Sequence, residues 1–189
     1  MLFVGGFRHE PNRVALDWFV REVLPLILGR CPQARLVIAG SDPPPAHTYA
    51  EHAARIDVLG YVEDVRVPLG RCAVFVCPIL SGSGVRVKLL EAFAAGIPVV
   101  STRLGAEGLA RTDGEFCALA DEPAAFADRA VHLLENPDGA AEMAARARTE
   151  VESHWDSAAI TRKLVEGYRE MVTAKRAATS SSGSGSGLS

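Results

Sequence analysis

The sequence predicts an α/β fold: a single Rossmann-like, doubly wound parallel sheet of about six strands, with extra helices at its C-terminal end. Three observations predict it. Apolar runs of four or five residues, such as Ala73-Val74-Phe75-Val76-Cys77, recur without polar alternation, and such strands belong in a sheet buried on both faces. Longer segments with helical spacing of apolar residues separate them, the pattern of right-handed crossovers between parallel strands. Glycine and proline punctuate the joins.

Leu2–Val4 reads as the first strand. Asn12 to Gly29 carries Val14, Leu16, Trp18, Phe19, Val23, Leu24, Ile27 and Leu28 at helical spacing, with a kink expected at Pro25. Leu36–Ala39 is a second strand, ended by Gly40 and Pro43-Pro44-Pro45. A short helix over Tyr49–Ala54, a strand over Ile56–Leu59 and a helix over Val62–Arg71, interrupted by Pro68, follow. Ala73–Cys77 is the clearest buried strand, ended by Pro78, and Gly84–Ala95 is a helix stopped by Gly96. Pro98–Ser101 and Phe116–Leu119 complete the strands. Helices over Pro123–Glu135, Asp138–Ser153 and Asp156–Lys175 close the domain, which is expected to span 1–178. Residues 179–189 have the Ser/Gly composition of a flexible linker or tail.

A net charge of −3 argues against a broad cationic surface for nucleic acid. The four cysteines form no C-x-x-C pair and are not interleaved with histidine at zinc spacing, so they read as core residues of a protein from a reducing, cytoplasmic compartment. No signal peptide or apolar stretch of membrane-spanning length is visible. The sequence holds no G-x-S-x-G elbow, G-x-x-x-x-G-K-[ST] loop, H-E-x-x-H or D-x-D pair, and no metal or cofactor is expected.

Ligands of open parallel sheets bind at the carboxyl ends of strands. Two strand-to-helix turns suit a phosphate there. The stronger runs Pro78-Ile79-Leu80-Ser81-Gly82-Ser83-Gly84-Val85-Arg86-Val87-Lys88-Leu89-Leu90-Glu91. Gly82 and Gly84 let the backbone approach a ligand, Ser83 can cap the helix, and the free amides of its first turn favour an anion. Arg86 and Lys88 place two cations near that end, where they oppose the helix dipole unless an anion binds. Glu91 can accept hydrogen bonds from two adjacent hydroxyls, such as those of a ribose. The competing reading is a mobile loop followed by a solvated face with a Lys88–Glu91 pair. The second turn is Gly5-Gly6-Phe7-Arg8-His9-Glu10-Pro11-Asn12. Here Gly6 can face phosphate or sugar, Arg8 or His9 can reach it, and Asn12 is read as a helix N-cap. The turn lacks G-x-G-x-x-G and a clear acidic ribose binder after the second strand, which disfavours a nicotinamide dehydrogenase.

Phe3-Val4-Gly5-Gly6 with Pro11-Asn12, Leu36–Gly40, Val58–Val62, Gly82–Ala92, Ala95–Thr102 and Gly105–Leu109 together resemble the C-terminal, donor-binding domain of GT-B glycosyltransferases, in particular the retaining family 4 or group 1. The resemblance runs to about Lys175, and its most specific block is Gly82 to Thr102. It implies one half of a two-domain enzyme that transfers a sugar from a nucleotide-diphosphate donor to an acceptor hydroxyl, with retention and without a metal. It implies that Arg86 and Lys88 neutralise the leaving diphosphate. Gly6, Arg8, Ser81, Gly82, Ser83, Gly84 and Leu89 are the implied donor-binding positions, with Glu91 on the ribose and Gly60-Tyr61-Val62 reading the base. Where many relatives carry a second glutamate, eight positions before Glu91, this chain has Ser83. The half that would carry the acceptor site, for a glycan or lipid, is missing, and the complete enzyme is expected to associate peripherally with a membrane. Asp156–Lys175 resembles the terminal helix that crosses to that half, with Ile160, Leu164 and Tyr168 on one stripe. Weak nucleotide-diphosphate binding and little or no transfer are expected of this chain alone. A sugar-nucleotide epimerase of the same architecture and a non-catalytic nucleotide-sugar-binding subunit are the alternatives.

Overall fold

The computed structural model describes residues 1–155, of which Met1–Thr149 form one compact unit. Its six strands are β1 (Leu2–Val4), β2 (Leu36–Ala39), β3 (Ile56–Gly60), β4 (Phe75–Cys77), β5 (Val99–Ser101) and β6 (Ala118–Leu119). They form one sheet in the order β3-β2-β1-β4-β5-β6. Every pairing is parallel, with Leu2 opposite both Val37 and Phe75 at the centre. This is the doubly wound, Rossmann-like sheet expected from the non-alternating runs. The order reverses direction between β1 and β4, and that switch point opens a crevice at the carboxyl ends of the two strands.

The strands are short and buried, and burial explains their composition. Phe3, Phe75, Ile38 and Val100 have almost no exposed surface. Each such side chain contributes about 1.5–3 kcal/mol on leaving water. The segment after β1 holds α1 (Glu10–Trp18), a π-helical turn (Phe19–Val23) and α2 (Leu24–Arg30). The expected kink at Pro25 therefore takes a specific form. Proline has no N–H to give to Arg21, and the Leu24 amide reaches back five residues to the Phe19 carbonyl. A helix α5 (Pro123–Glu135) covers this region, setting Phe126 edge-on against Trp18 and Phe19 at 5.7 and 5.9 Å. The helix α6 (Pro137–His154) follows it directly.

Three expected helices change extent. The segment at Tyr49–Ala54 is a 3₁₀ helix spanning Ala46–Arg55, with Tyr49 off helical geometry. Only Arg66–Leu69 (α3) of the Val62–Arg71 stretch is helical, since Pro68 allows just one turn around it. The helix placed at Gly84 begins at Val87 and runs to Ala94 (α4). The helix expected over Asp156–Lys175 and the boundary at 178 lie outside the described residues. Cys31, Cys77 and Cys117 are buried and Cys72 is half-buried, in keeping with their reading as core residues. No helix among the described residues is long and apolar enough to cross a membrane.

Candidate functional site

The two glycine-bearing turns picked out in the sequence leave neighbouring strands at the switch point. Between them lies a cleft of about 310 Å³, walled by Gly5, Gly6, His9 and Asn12 on one side and Val85, Arg86 and Lys88 on the other. The β1 turn is held by the loop after β2. The Gly5 amide donates to the Ala39 carbonyl and the Phe7 amide to the Ser41 carbonyl. Gly40 permits this closeness, because a Cβ there would lie 1.9 Å from the Gly5 carbonyl oxygen, and its φ is +134°.

The turn after β4 carries Gly82 and Gly84 at φ +97° and +91°, the left-handed side that favours glycine. These values bar a helix before Val87 and correct the expected start. Arg86, in extended geometry, is the N-cap residue, so Ser83 caps nothing. The exposed Ser81, Gly82, Ser83 and Gly84 form a rim ahead of the helix rather than its first turn. The amides heading α4 are those of Val87 and Lys88, which have no intrahelical acceptor. The Leu89 amide is committed to the Arg86 carbonyl at 2.8 Å. The Leu89 side chain is fully buried, which places this expected donor contact in the core.

Both cations turn inward, in place of the solvated Lys88–Glu91 pair. Arg86 folds under the rim and gives Nη1 to the Ser83 carbonyl at 3.0 Å. Its Nε and Nη2 are buried and have no partner. Lys88 Nζ donates to the Val4 carbonyl at 3.1 Å and to Asn12 Oδ1 at 2.7 Å, and lies 5.1 Å from the centre of the Phe3 ring. Burial pushes the Lys88 ammonium below the usual lysine range; nearby Cys77 opposes this shift and Arg86 adds to it. Two cations without a carboxylate among their hydrogen-bond partners therefore line the cleft.

Arg8 is not in this cleft. Its guanidinium pairs with Asp42, Nε to Oδ2 at 3.0 Å, and His9 takes the position lining the site. Asn12 is no N-cap either. His9 is the N-cap residue, Pro11 occupies the first turn, and the Asn12 amide bridges Gly6 and Lys88 instead. Glu91, one turn beyond Lys88, is exposed in a separate groove of about 420 Å³ with Glu63, Asp64 and Arg66. Gly60, at φ +73°, ends β3 and accepts the Gly40 amide at 2.7 Å on its carbonyl. Tyr61 beyond it is 75% exposed and Val62 is half-buried. Among the described residues no three His, Cys, Asp or Glu side chains cluster as metal ligands would.

The sequence model of the family described as glycosyl transferases group 1 matches residues 1–136. The chain belongs to the group 1 glycosyltransferases. Its sheet and helices form one Rossmann-like half of the GT-B fold. Two curated relatives of this glycosyltransferase chain are similar to it. An uncharacterized 44.6 kDa protein in the cps region of Klebsiella pneumoniae is 27% identical over 165 residues, covering 83% of this chain and 42% of the relative. A phosphatidyl-myo-inositol mannosyltransferase of Mycobacterium leprae is 30% identical over 185 residues, covering 92% and 47%. Among solved structures, Anabaena HepE in complex with UDP aligns with a TM-score of 0.69 at 19% identity, over 89% of this chain and 48% of HepE. The chain thus spans about half the length of the relatives it matches.

Of the residues singled out in the sequence, Gly6, Arg86 and Lys88 line one cleft, whereas Glu91 lines another groove. Sequence reasoning gave His9 only as an alternative to Arg8 and misread Asn12. The signal for Asn12 was present in its place directly after Pro11, which marks the first helical positions, so that Asn12 falls inside the first turn and too late for a cap.

Proposed function

We propose that this chain is the donor-binding half of a glycosyltransferase and holds the diphosphate of a nucleotide sugar in the cleft between β1 and α4. The observation that carries the reading is the pair of cations at the switch point, above all the Arg86 guanidinium edge with two buried, unpartnered donors. Turned out from beneath the rim, the Nε–Nη2 edge is the fork that takes two oxygens of one phosphate. Lys88, anchored below, adds a point charge, and the amides heading α4 add their dipole. Glu91 accepts the ribose hydroxyls from its groove, and the base lies towards Gly60-Tyr61-Val62. UDP in HepE and the mannosyl transfer named for the M. leprae relative support a nucleotide-diphosphate sugar as donor.

In the complete enzyme the sugar leaves the diphosphate for an acceptor hydroxyl, with retention, and negative charge develops on the leaving diphosphate oxygen. Arg86 and Lys88 stabilise that charge from fixed positions, which is electrostatic catalysis without a metal. The acceptor, a glycan or a lipid, is bound mainly by a second domain, so this chain alone transfers little or no sugar. Product analysis of the complete enzyme with labelled donor separates transfer from epimerisation.

Calorimetry against a panel of nucleoside diphosphates tests the site. At least one is expected to bind, and Lys88→Ala and Glu91→Ala should each weaken that binding by about 1–3 kcal/mol, the scale of charged hydrogen bonds. No binding across the panel, or wild-type affinity in both variants, overturns the assignment.

A further inference from the structure

We infer that Asn12 is a positioning residue for the donor site, which aims the Lys88 ammonium at the cleft and keeps it charged there. The inference deepens the diphosphate reading and rests on it. Asn12 Nδ2 donates to the Gly6 carbonyl at 2.9 Å, and Oδ1 accepts from Lys88 Nζ at 2.7 Å. The first bond fixes which way the amide faces, because only nitrogen can donate to a carbonyl. The second is thereby fixed as an acceptor for the cation. The side chain lies flat on the β1 turn, since a Cβ on Gly5 would meet Asn12 Cγ at 3.0 Å. One uncharged group therefore joins the two walls of the cleft.

The choice of amide has a chemical consequence. Lys88 Nζ has three N–H groups; Val4 and Asn12 take two. The third is left for a ligand. A carboxylate at position 12 would also hold Lys88, but it would cancel the charge and repel a diphosphate, and it would face the Gly6 carbonyl oxygen with no proton to give. An amide holds the ammonium without neutralising it. The groups that titrate or carry charge around Lys88 are Arg86 at the N-cap of its own helix, Cys77 of β4 and His9 across the cleft, and no carboxylate is among them.

The test is a double-mutant cycle on the full chain with uridine diphosphate as probe, read by calorimetry. Asn12→Ala should weaken binding about tenfold when Lys88 is present, the scale of one charge-assisted hydrogen bond. It should weaken binding less than twofold in the Lys88→Ala background. Equal losses in both backgrounds mean that Asn12 acts on the turn alone and overturn the inference. Asn12→Asp, of nearly the same shape, should bind worse than Asn12→Ala; wild-type affinity in Asn12→Asp overturns it too. A second readout needs no nucleotide. NMR titration of the lysine side chains should give Lys88 a lower pKa in Asn12→Ala than in the wild type, because a lost acceptor favours the neutral amine. An unchanged Lys88 titration refutes the link even where binding has fallen. Absence of nucleotide binding by the wild type would sink the donor-site reading and leave the NMR arm to decide this one.

Discussion

Arg86 and Lys88 are arranged at the expense of the unliganded chain. A buried guanidinium nitrogen without a partner costs about 1–3 kcal/mol, and Arg86 has two such atoms. Lys88 adds a second cost, because burial lowers its pKa and the folded state disfavours its ammonium. The unfolded chain binds that proton more tightly, so the penalty is full below the folded pKa. It fades as pH rises from there towards about 10.4, the ordinary lysine value. In the donor complex proposed above, a bound diphosphate would reverse both costs. Arg86→Met keeps the apolar stem and removes the unmade donors. It is expected to raise the stability of the unliganded chain by about 1 kcal/mol, read as a higher urea midpoint at unchanged slope, while nucleoside diphosphate affinity falls. A loss of stability in this variant would show that the guanidinium is satisfied without ligand.

At the scale of elements, the cleft is made by two turns whose paths depend on glycines of different kinds. Gly40 is a matter of space: its missing Cβ lets the β1 and β2 turns lie against each other. Gly84 is a matter of backbone alone, since nothing lies within 4 Å of a Cβ there but φ is +91°. Gly84→Ala should cost about 1–2 kcal/mol, the usual penalty for left-handed geometry. Gly40→Ala should cost about 3 kcal/mol or more and should also abolish nucleotide binding, because the Gly5-Gly6 turn must move. Denaturant melts and calorimetry on the two variants check the contrast; similar stability losses would mean that the turns do not touch. The same elements show what was legible in the sequence. The strand before the β4 turn was plain from its apolar run, and the turn from its glycines. The start of α4 was not, because a glycine in sequence does not declare the sign of φ, and two positive values push the helix on to Val87. Asn12 and Arg8 were misjudged for another reason. Capping rules are local, whereas their partners Lys88 and Asp42 lie 76 and 34 residues away.

The whole molecule was the most legible level, because sheet class follows from the period of burial rather than from any one contact. Non-alternating strands demanded cover on both faces, the intervening helices supplied it, and the parallel order set the cleft at the switch point between β1 and β4. That architecture makes a prediction through its thiols. Cys77 ends β4 within the field of Lys88 and Arg86, Cys117 immediately precedes β6, and both are fully buried, whereas Cys72 is partly open. Burial pushes the Cys117 thiol up to about 12 and raises that of Cys77 as well, so neither is nucleophilic in the folded chain at pH 8. Alkylation there should mark Cys72 first. Cys77 and Cys117 should follow only through global opening, at similar rates and with the same dependence on urea. A nucleoside diphosphate at 100 times its Kd binds the folded state alone and should slow both buried thiols about 100-fold, with little effect on Cys72. Mass spectrometry of the alkylated peptides reads all three. Labelling of Cys77 ahead of Cys117, with no urea dependence, would mean that the β4 end opens by itself, and the cleft would then not be the preformed site that its two anchored cations describe.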